Sequence, residues 1–370
     1  MPMSRGARFL RAVLLLAGVL VAVAWLALRL PGFGAAADGG RLERMRQSPA
    51  WVQGRFENTP PYIQDLALVE NLRLYGQGQQ REPQFTIPVL PLAPQSLRNA
   101  PRPGLRTVWF GHASVLVEID GVRIMTDPML SERASPVQLV GPQRFHPPPI
   151  PLEQLAGIDA VVISHDHYDH LDMATVRQLA QGATHFYVGL GIGAHLERWG
   201  VPRAQIHEMA WWEHADVKGV RIHCTPARHY SGRTSLNNST LWASWMLQGP
   251  THSLYFSGDT GYGGHFSEVR QRLGAPDVSL MKVGAYGSTW LDIHMDPEAA
   301  VRAHGDLGAK TMLPVHWATF NLAYHAWEEP ILRTRAAAAA KGVDVITPRV
   351  GEVFEFGVPF RSQPWYQSAR

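Results

Sequence analysis

The chain of 370 residues is 45% apolar, 18% charged and 9% aromatic, a composition that builds a sizeable core and excludes wholesale disorder. Its 34 basic and 31 acidic side chains leave a formal charge of +3, but Arg5, Arg8, Arg11 and Arg29 against Asp38 place that excess before residue 41. The remainder has no net field to hold a polyanion, so no nucleic-acid partner is expected, and a single cysteine, Cys224, excludes an intrachain disulfide framework.

From Ala12 to Leu28 the chain is almost continuously apolar behind a basic flank. Residues 1–30 therefore read as a membrane anchor, with a cleaved secretory signal or an interfacial helix as the alternatives. The flanking arginines place the following domain outside the cytoplasm, on the periplasmic side in a bacterium. Residues 31–104 read as a linker (31–50) and a Pro-rich arm, broken at Pro60-Pro61, Pro83, Pro88, Pro91, Pro94, Pro101 and Pro103, with a short helix over 63–75.

At Leu105 the texture changes. Strands are predicted over 106–110, 114–119 and 122–126, with Asp120-Gly121 as a two-residue hairpin turn. An apolar run over 158–164 reads as a buried strand, and 174–180 as the helix that follows. Further strands are predicted over 185–188, 219–225, 241–247, 253–256, 278–282, 311–315 and 352–356, with helices over 297–307 and 328–340. Hairpins first, then alternation with helices, indicate one layered α/β domain with mixed sheets over 105–357 and a tail over 358–370.

Chemistry concentrates at Ser164-His165-Asp166-His167-Tyr168-Asp169-His170, where three imidazoles and two carboxylates fill six positions directly beyond a buried strand. A loop can turn such groups around a metal, whereas a continuing strand would send alternate side chains to opposite faces. His229, Asp259 and His316 each follow an apolar segment, where functional groups stand above a rigid sheet. Mixed imidazole and carboxylate donors suit Zn²⁺, with Fe or Mn as alternatives.

These residues resemble the metallo-β-lactamase superfamily, whose His-x-His-x-Asp-His loop is matched by His165, His167, Asp169 and His170. The resemblance implies a four-layer αββα sandwich and two ions per chain. It assigns His165, His167 and His229 to one metal, Asp169, His170 and His316 to the other, and Asp259 to a bridge. A narrower resemblance runs through Trp109-Phe110-Gly111-His112-Ala113, Thr126-Asp127-Pro128, Gly141–Phe145, Leu241–Trp245, Ser257–Tyr262, His294–Ala300 and His316–Phe320. Together these are similar to the phospholipase D enzymes that hydrolyse N-acyl-phosphatidylethanolamines and to their bacterial relatives.

What that resemblance implies is a phosphodiesterase yielding phosphatidic acid and an N-acylethanolamine, through attack by a hydroxide held between two metals. It makes His294 and Asp259 catalytic, His294 by protonating the leaving group or by positioning the phosphate. The alternatives are a hydrolase of another phosphodiester, a lactone or an amide, and a noncatalytic anchored metal-binding protein. Expected partners are a phospholipid substrate, the bilayer and a second copy of the chain. Asp127 is expected to support a ligating histidine, His112 to do so or to pack at a strand end, and Cys224 to lie in the core. Arg144, Arg228 and Arg233 are candidate phosphate partners. Met129–Pro151 and Trp211, Trp212, Trp290 and Trp327 are candidates for an acyl groove.

Overall fold

The structure is a computed structural model that describes residues 5–61, 68–99, 101–233 and 237–367. Before the sheets come α1 (Arg5–Ala27), α2 (Gly39–Arg46), a hairpin of β1 (Trp51–Val52) and β2 (Arg55–Phe56), α3 (Leu68–Gln77) and α4 (Pro94–Arg98). Then follow β3 (Leu105–Trp109), β4 (Val115–Ile119), β5 (Val122–Thr126), β6 (Ala160–Ile163), α5 (Met173–Leu179), β7 (His185–Gly189), α6 (Gly193–Arg198), β8 (Ile206–Met209), β9 (His214–Val217) and β10 (Val220–Thr225). The chain continues through β11 (Ser244–Gln248), β12 (Ser253–Phe256), α7 (His265–Leu273), β13 (Val278–Lys282), α8 (Pro297–Leu307), β14 (Thr311–Val315), α9 (Glu329–Lys341), β15 (Asp344–Val345) and β16 (Val353–Glu355).

Two seven-stranded mixed sheets result, ordered β16-β3-β4-β5-β6-β7-β8 and β15-β14-β13-β12-β11-β10-β9. Strand alternation explains their stacking. Val115, Val117 and Ile119 face the second sheet, meeting Ile222, Trp245 and Leu247, while Leu116 points the other way. In β6, Ala160 and Val162 enter the inter-sheet core, whereas Val161 and Ile163 pack under α5 and α6 with Val176, Leu179 and Leu196. A strand covered on both faces reads as the continuous apolar run seen in the sequence, and each such side chain contributes about 1.5–3 kcal/mol on burial. Helices α7, α8 and α9 cover the second sheet through Phe266, Val269, Ala300, Leu307 and Ile331. The four-layer αββα sandwich with mixed sheets is the expected architecture.

Differences from the expected elements have local causes. The strand expected over 241–247 begins only at Ser244, because Leu241 N donates to Leu190 O and Ala243 N to Ser164 O outside the ladder. Helix α6, not expected from the sequence, begins at Gly193, directly after Gly189 and Gly191. The helix expected over 63–75 lies partly outside the described residues, α3 beginning at Leu68. Residues 31–46 fold onto the sandwich: the Arg41 guanidinium binds Glu208 (2.6 Å) and Glu197 (3.1 Å).

The membrane expectation is corrected. Among the described residues no helix is long and apolar enough to cross a membrane. Arg5, Arg8 and Arg11 lie inside α1, so its charge-free part, Ala12 to Ala27, extends only about 24 Å at ~1.5 Å per residue. The hydrocarbon layer is ~30 Å thick. The anchor, the bilayer partner and the location inferred from the anchor fall with this finding. The phospholipid partner, expected from the resemblance, and the homodimer find no support among the described residues.

Candidate metal centre

One end of the sandwich carries every residue singled out for chemistry. Asp127 follows β5, His165–His170 follow β6, His229 follows β10, Asp259 follows β12 and His316 follows β14. The turn into Asp259 requires glycine. Gly258 has φ +54° and a Cβ there would lie 2.5 Å from the Ser164 side chain and 2.9 Å from Ala243 O. His112, Asp127 and His316 also hold positive φ (51°, 32° and 65°), a left-handed backbone costing about 1–2 kcal/mol per residue. Such strain persists where surrounding structure enforces it.

Two groups of donor atoms converge. In the first, Asp169 Oδ2 and Asp259 Oδ2 each approach both His170 Nε2 and His316 Nε2. His170 Nε2 lies 3.3 Å from Asp169 Oδ2, 3.2 Å from Asp259 Oδ2 and 3.2 Å from His316 Nε2. His316 Nε2 lies 3.4 Å from Asp169 Oδ2 and 3.1 Å from Asp259 Oδ2. Bonds of ~2.0–2.1 Å to a tetrahedral ion would separate neighbouring donors by about 3.3 Å. In the second, His167 Nδ1 is 2.8 Å from His165 Nε2 and 3.3 Å from His229 Nε2, with Asp259 Oδ2 4.0 Å from His229 Nε2. His112, Asp169, His170 and His316 on one side and His165, His167 and His229 on the other are each grouped closely enough to hold a metal ion, and Asp259 Oδ2 lies 3.1 Å from His316 Nε2 and 4.0 Å from His229 Nε2.

Supporting hydrogen bonds turn the correct nitrogens inward. Asp127 Oδ2 accepts from His170 Nδ1 at 2.6 Å and Oδ1 from Ser164 N at 2.6 Å. Ser164 Oγ donates to Asp127 and accepts from His165 Nδ1 at 2.8 Å, and His229 Nδ1 donates to Ile293 O at 3.1 Å. Each bond occupies Nδ1 and turns Nε2 of its ring toward the site, where it can serve as a metal ligand once unprotonated. His112 Nε2 lies 3.0 Å from Asp169 Oδ2. Burial pushes His112 down to about 3, so this neutral ring donates to an ionised carboxylate.

The electrostatics describe a site short of positive charge. Burial opposes ionisation of Asp259, but His316 and His170 hold its carboxyl well below the usual range. Burial likewise opposes a charge on His170, yet Asp259 and Asp169 lift it well above the ordinary histidine value. His165 and His229 are driven well below it, chiefly by burial. Four buried atoms of these residues have no hydrogen-bond partner: His167 Nε2, Asp259 Oδ1, His294 Nδ1 and His316 Nδ1. Convergent imidazoles, the carboxylates of Asp169 and Asp259 and the unpartnered Asp259 Oδ1 fit divalent cations, and the donor set suits Zn²⁺ as well as Fe or Mn.

The remaining candidates divide. His294 sits at the rim with Nε2 3.6 Å from Asp259 Oδ2. Asp166 turns away, accepting from Gly232 N (2.8 Å), Thr240 Oγ1 (2.9 Å) and His195 Nε2 (3.2 Å). The arginines are tied to backbone: Arg144 donates to Met129, Phe110 and His146 carbonyls, Arg233 to Gly32, Asp166 and Leu171, and Arg228 to Pro60. Trp211 Nε1 donates to Trp242 O and Trp290 Nε1 to Ala285 O, so these rings are pinned. Cys224 is buried. Sequence reasoning passed over Lys282, wholly buried beneath the site, because it ends an apolar strand.

A sandwich with this donor cluster at one end is the arrangement of a metal-dependent hydrolase. The profile of the Beta-lactamase superfamily domain matches residues 122–317, and the chain belongs to that superfamily. An uncharacterized protein of Mycobacterium tuberculosis, Rv0906, is 44% identical over 368 residues, covering 96% of this chain and 99% of that one. N-acyl-phosphatidylethanolamine-hydrolyzing phospholipase D 1 of Caenorhabditis elegans is 33% identical over 271 residues, 68% of this chain and 76% of its own. Among solved structures, Igni18, a metallo hydrolase from Ignicoccus hospitalis, superposes with a TM-score of 0.52 at 25% identity over 68% of this chain and 99% of its own.

Proposed function

We propose that the protein is a binuclear metal-dependent hydrolase and that phosphodiesters are its first substrate class. One observation carries the reading: Asp259 Oδ2 stands between two convergent donor sets, 3.1 Å from His316 Nε2 and 4.0 Å from His229 Nε2. His165, His167 and His229 would hold one ion, Asp169, His170 and His316 the other, with Asp259 between them. A bound pair of ions supplies Lewis acidity and lowers the pKa of water so that a nucleophile exists at neutral pH.

The chain's own groups do the positioning. Asp127, Ser164 and Ile293 O fix the tautomers of three ligand histidines, and His112 steadies Asp169. His294 stands at the rim beside Asp259, placed to meet the phosphoryl or leaving-group oxygen of a substrate. Arg144 and Arg233 give every guanidinium nitrogen to backbone carbonyls, so phosphate charge would be met by the ions and His294, with Arg228 as the remaining arginine candidate. The likeness to the C. elegans enzyme supports the diester class, and N-acyl-phosphatidylethanolamine is the particular diester it suggests. The same centre can attack a lactone or an amide.

The test is a panel of soluble phosphodiesters, micellar N-acyl-phosphatidylethanolamine, lactones and amides, assayed with Zn²⁺-, Mn²⁺- and Fe-loaded protein and with Asp259→Ala. Metal-dependent diester cleavage lost in the variant supports the proposal. Cleavage confined to lactones or amides moves the protein to the second substrate class, and no turnover of any ester by loaded protein removes the hydrolase reading.

A further inference from the structure

Lys282 is fully buried, a rare placement for a lysine; among the described residues no carboxylate forms a direct ion pair with it, Asp259 and Asp296 acting on it only from a distance. Among the described residues its ammonium has one hydrogen-bond acceptor, Met295 O at 3.1 Å. A leucine or methionine would fill this volume without the desolvation cost of an amine, so the bond to Met295 demands a reason.

Three connections place Lys282 at the junction of the loops that build the site. Its backbone N donates to Ser257 Oγ at 3.0 Å, two residues before Asp259. Its register partner on β14 is Val315, directly before His316. Its side chain reaches the carbonyl directly after His294, and Met295 N in turn donates to Thr260 O at 3.0 Å. The His294 loop is thus clamped from one side by the strand end carrying Asp259 and from below by Lys282. Trp290 O accepts from His294 N at 3.0 Å but belongs to the same loop and fixes only its local turn.

We propose that Lys282 is a positioning residue that acts through His294: its bond to Met295 O keeps the His294 imidazole facing Asp259 and the incoming substrate. This rests on the role given to His294 above. A displacement of about 1 Å in a positioned group can cost ~100-fold in rate, so the effect belongs chiefly in kcat.

The experiment is a double-mutant cycle in the metal-loaded full chain with Lys282→Met, Lys282→Gln, His294→Ala and Lys282→Met/His294→Ala, assayed on bis(4-nitrophenyl) phosphate and on an alkyl diester. A second donor-free variant, Lys282→Leu, covers the case in which Lys282→Met does not fold. Metal content and thermal midpoint are measured in parallel. The donor-free variant is expected to lower kcat about 10–100-fold with KM within about 3-fold. Lys282→Gln, which keeps an N–H donor, should recover most of that loss. In the His294→Ala background the same change should cost less than about 2-fold, since coupled residues are not additive. A donor-free variant with wild-type kcat, or one whose loss is undiminished without His294, overturns the proposal. Wild-type kcat in His294→Ala removes the His294 reading itself, and the Lys282 proposal with it; undiminished loss alongside an impaired His294→Ala removes only the latter.

Discussion

Asp127 Oδ2 and His170 Nδ1 lie 2.6 Å apart at the ends of adjacent structural units, the first closing β5 and the second closing the loop after β6. Burial raises the Asp127 carboxyl, and His170 and Ser164 pull against that rise. Asp127→Ala removes the acceptor that fixes the His170 tautomer. It should weaken metal binding at His170 about 10–100-fold and at His165 by less, because Asp127 reaches that ring only through Ser164. Asp127→Asn, which keeps an acceptor oxygen, should lose less. Competition with a chromophoric chelator reads both affinities.

Metal uptake should release protons. Asp259 and Asp169 raise His170, and Asp259 also raises His316 against the opposing effect of burial. Without a cation these rings therefore hold protons that a ligating imidazole must lose. Rising pH removes the competitor, so affinity should climb with pH and level off once both rings are neutral. Calorimetry of Zn²⁺ binding in two buffers of different ionisation enthalpy should give different apparent enthalpies. Equal enthalpies would mean that no proton is displaced.

Asp120 joins the two sheets. It holds the first turn position of the β4–β5 hairpin at φ 47° and accepts from Thr251 N (2.8 Å), His252 N (3.0 Å) and His252 Nδ1 (2.7 Å) across the sandwich. Burial works against its charge, but the bonds from Thr251 and His252 hold it down at about 2. A depressed carboxylate stabilises the fold above its unfolded pKa of ~3.9. That contribution is lost as pH falls from about 4 to about 2. Asp120→Ala should cost about 1–3 kcal/mol at neutral pH by urea unfolding, and the difference from wild type should shrink over that acid interval.

Arg41 carries the docking of residues 31–46. Its guanidinium is 7% exposed and binds both Glu197 and Glu208. Arg41→Ala should destabilise the protein by about 1.5–3 kcal/mol and render the segment more sensitive to limited proteolysis. An unchanged thermal midpoint would show that the segment is only loosely associated.

The layered fold was legible because β4, β6 and the strands of the second sheet carry the right apolar periods, and helices α8 and α9 begin at clear Asp-Pro and Glu-Pro signals. The donor cluster was legible because His165–His170 are adjacent in sequence. What failed depended on partners far along the chain. Arg144 and Arg233 read as free cations until the backbone carbonyls that hold them came into view. Asp120-Gly121 read as a turn, and nothing local showed that Asp120 grips Thr251 and His252. Lys282 was hidden as the last residue of a strand. The N-terminal run was judged by its apolar content, whereas the three arginines inside α1 shorten the part that could sit in hydrocarbon.

The most direct measurement is an anomalous difference map from crystals of metal-loaded protein, collected at the absorption edge of the bound metal. Two peaks are expected, one among His165, His167 and His229 and the other among Asp169, His170 and His316, with Asp259 between them. A single peak, or density away from Asp259, would contradict a binuclear centre built on that residue.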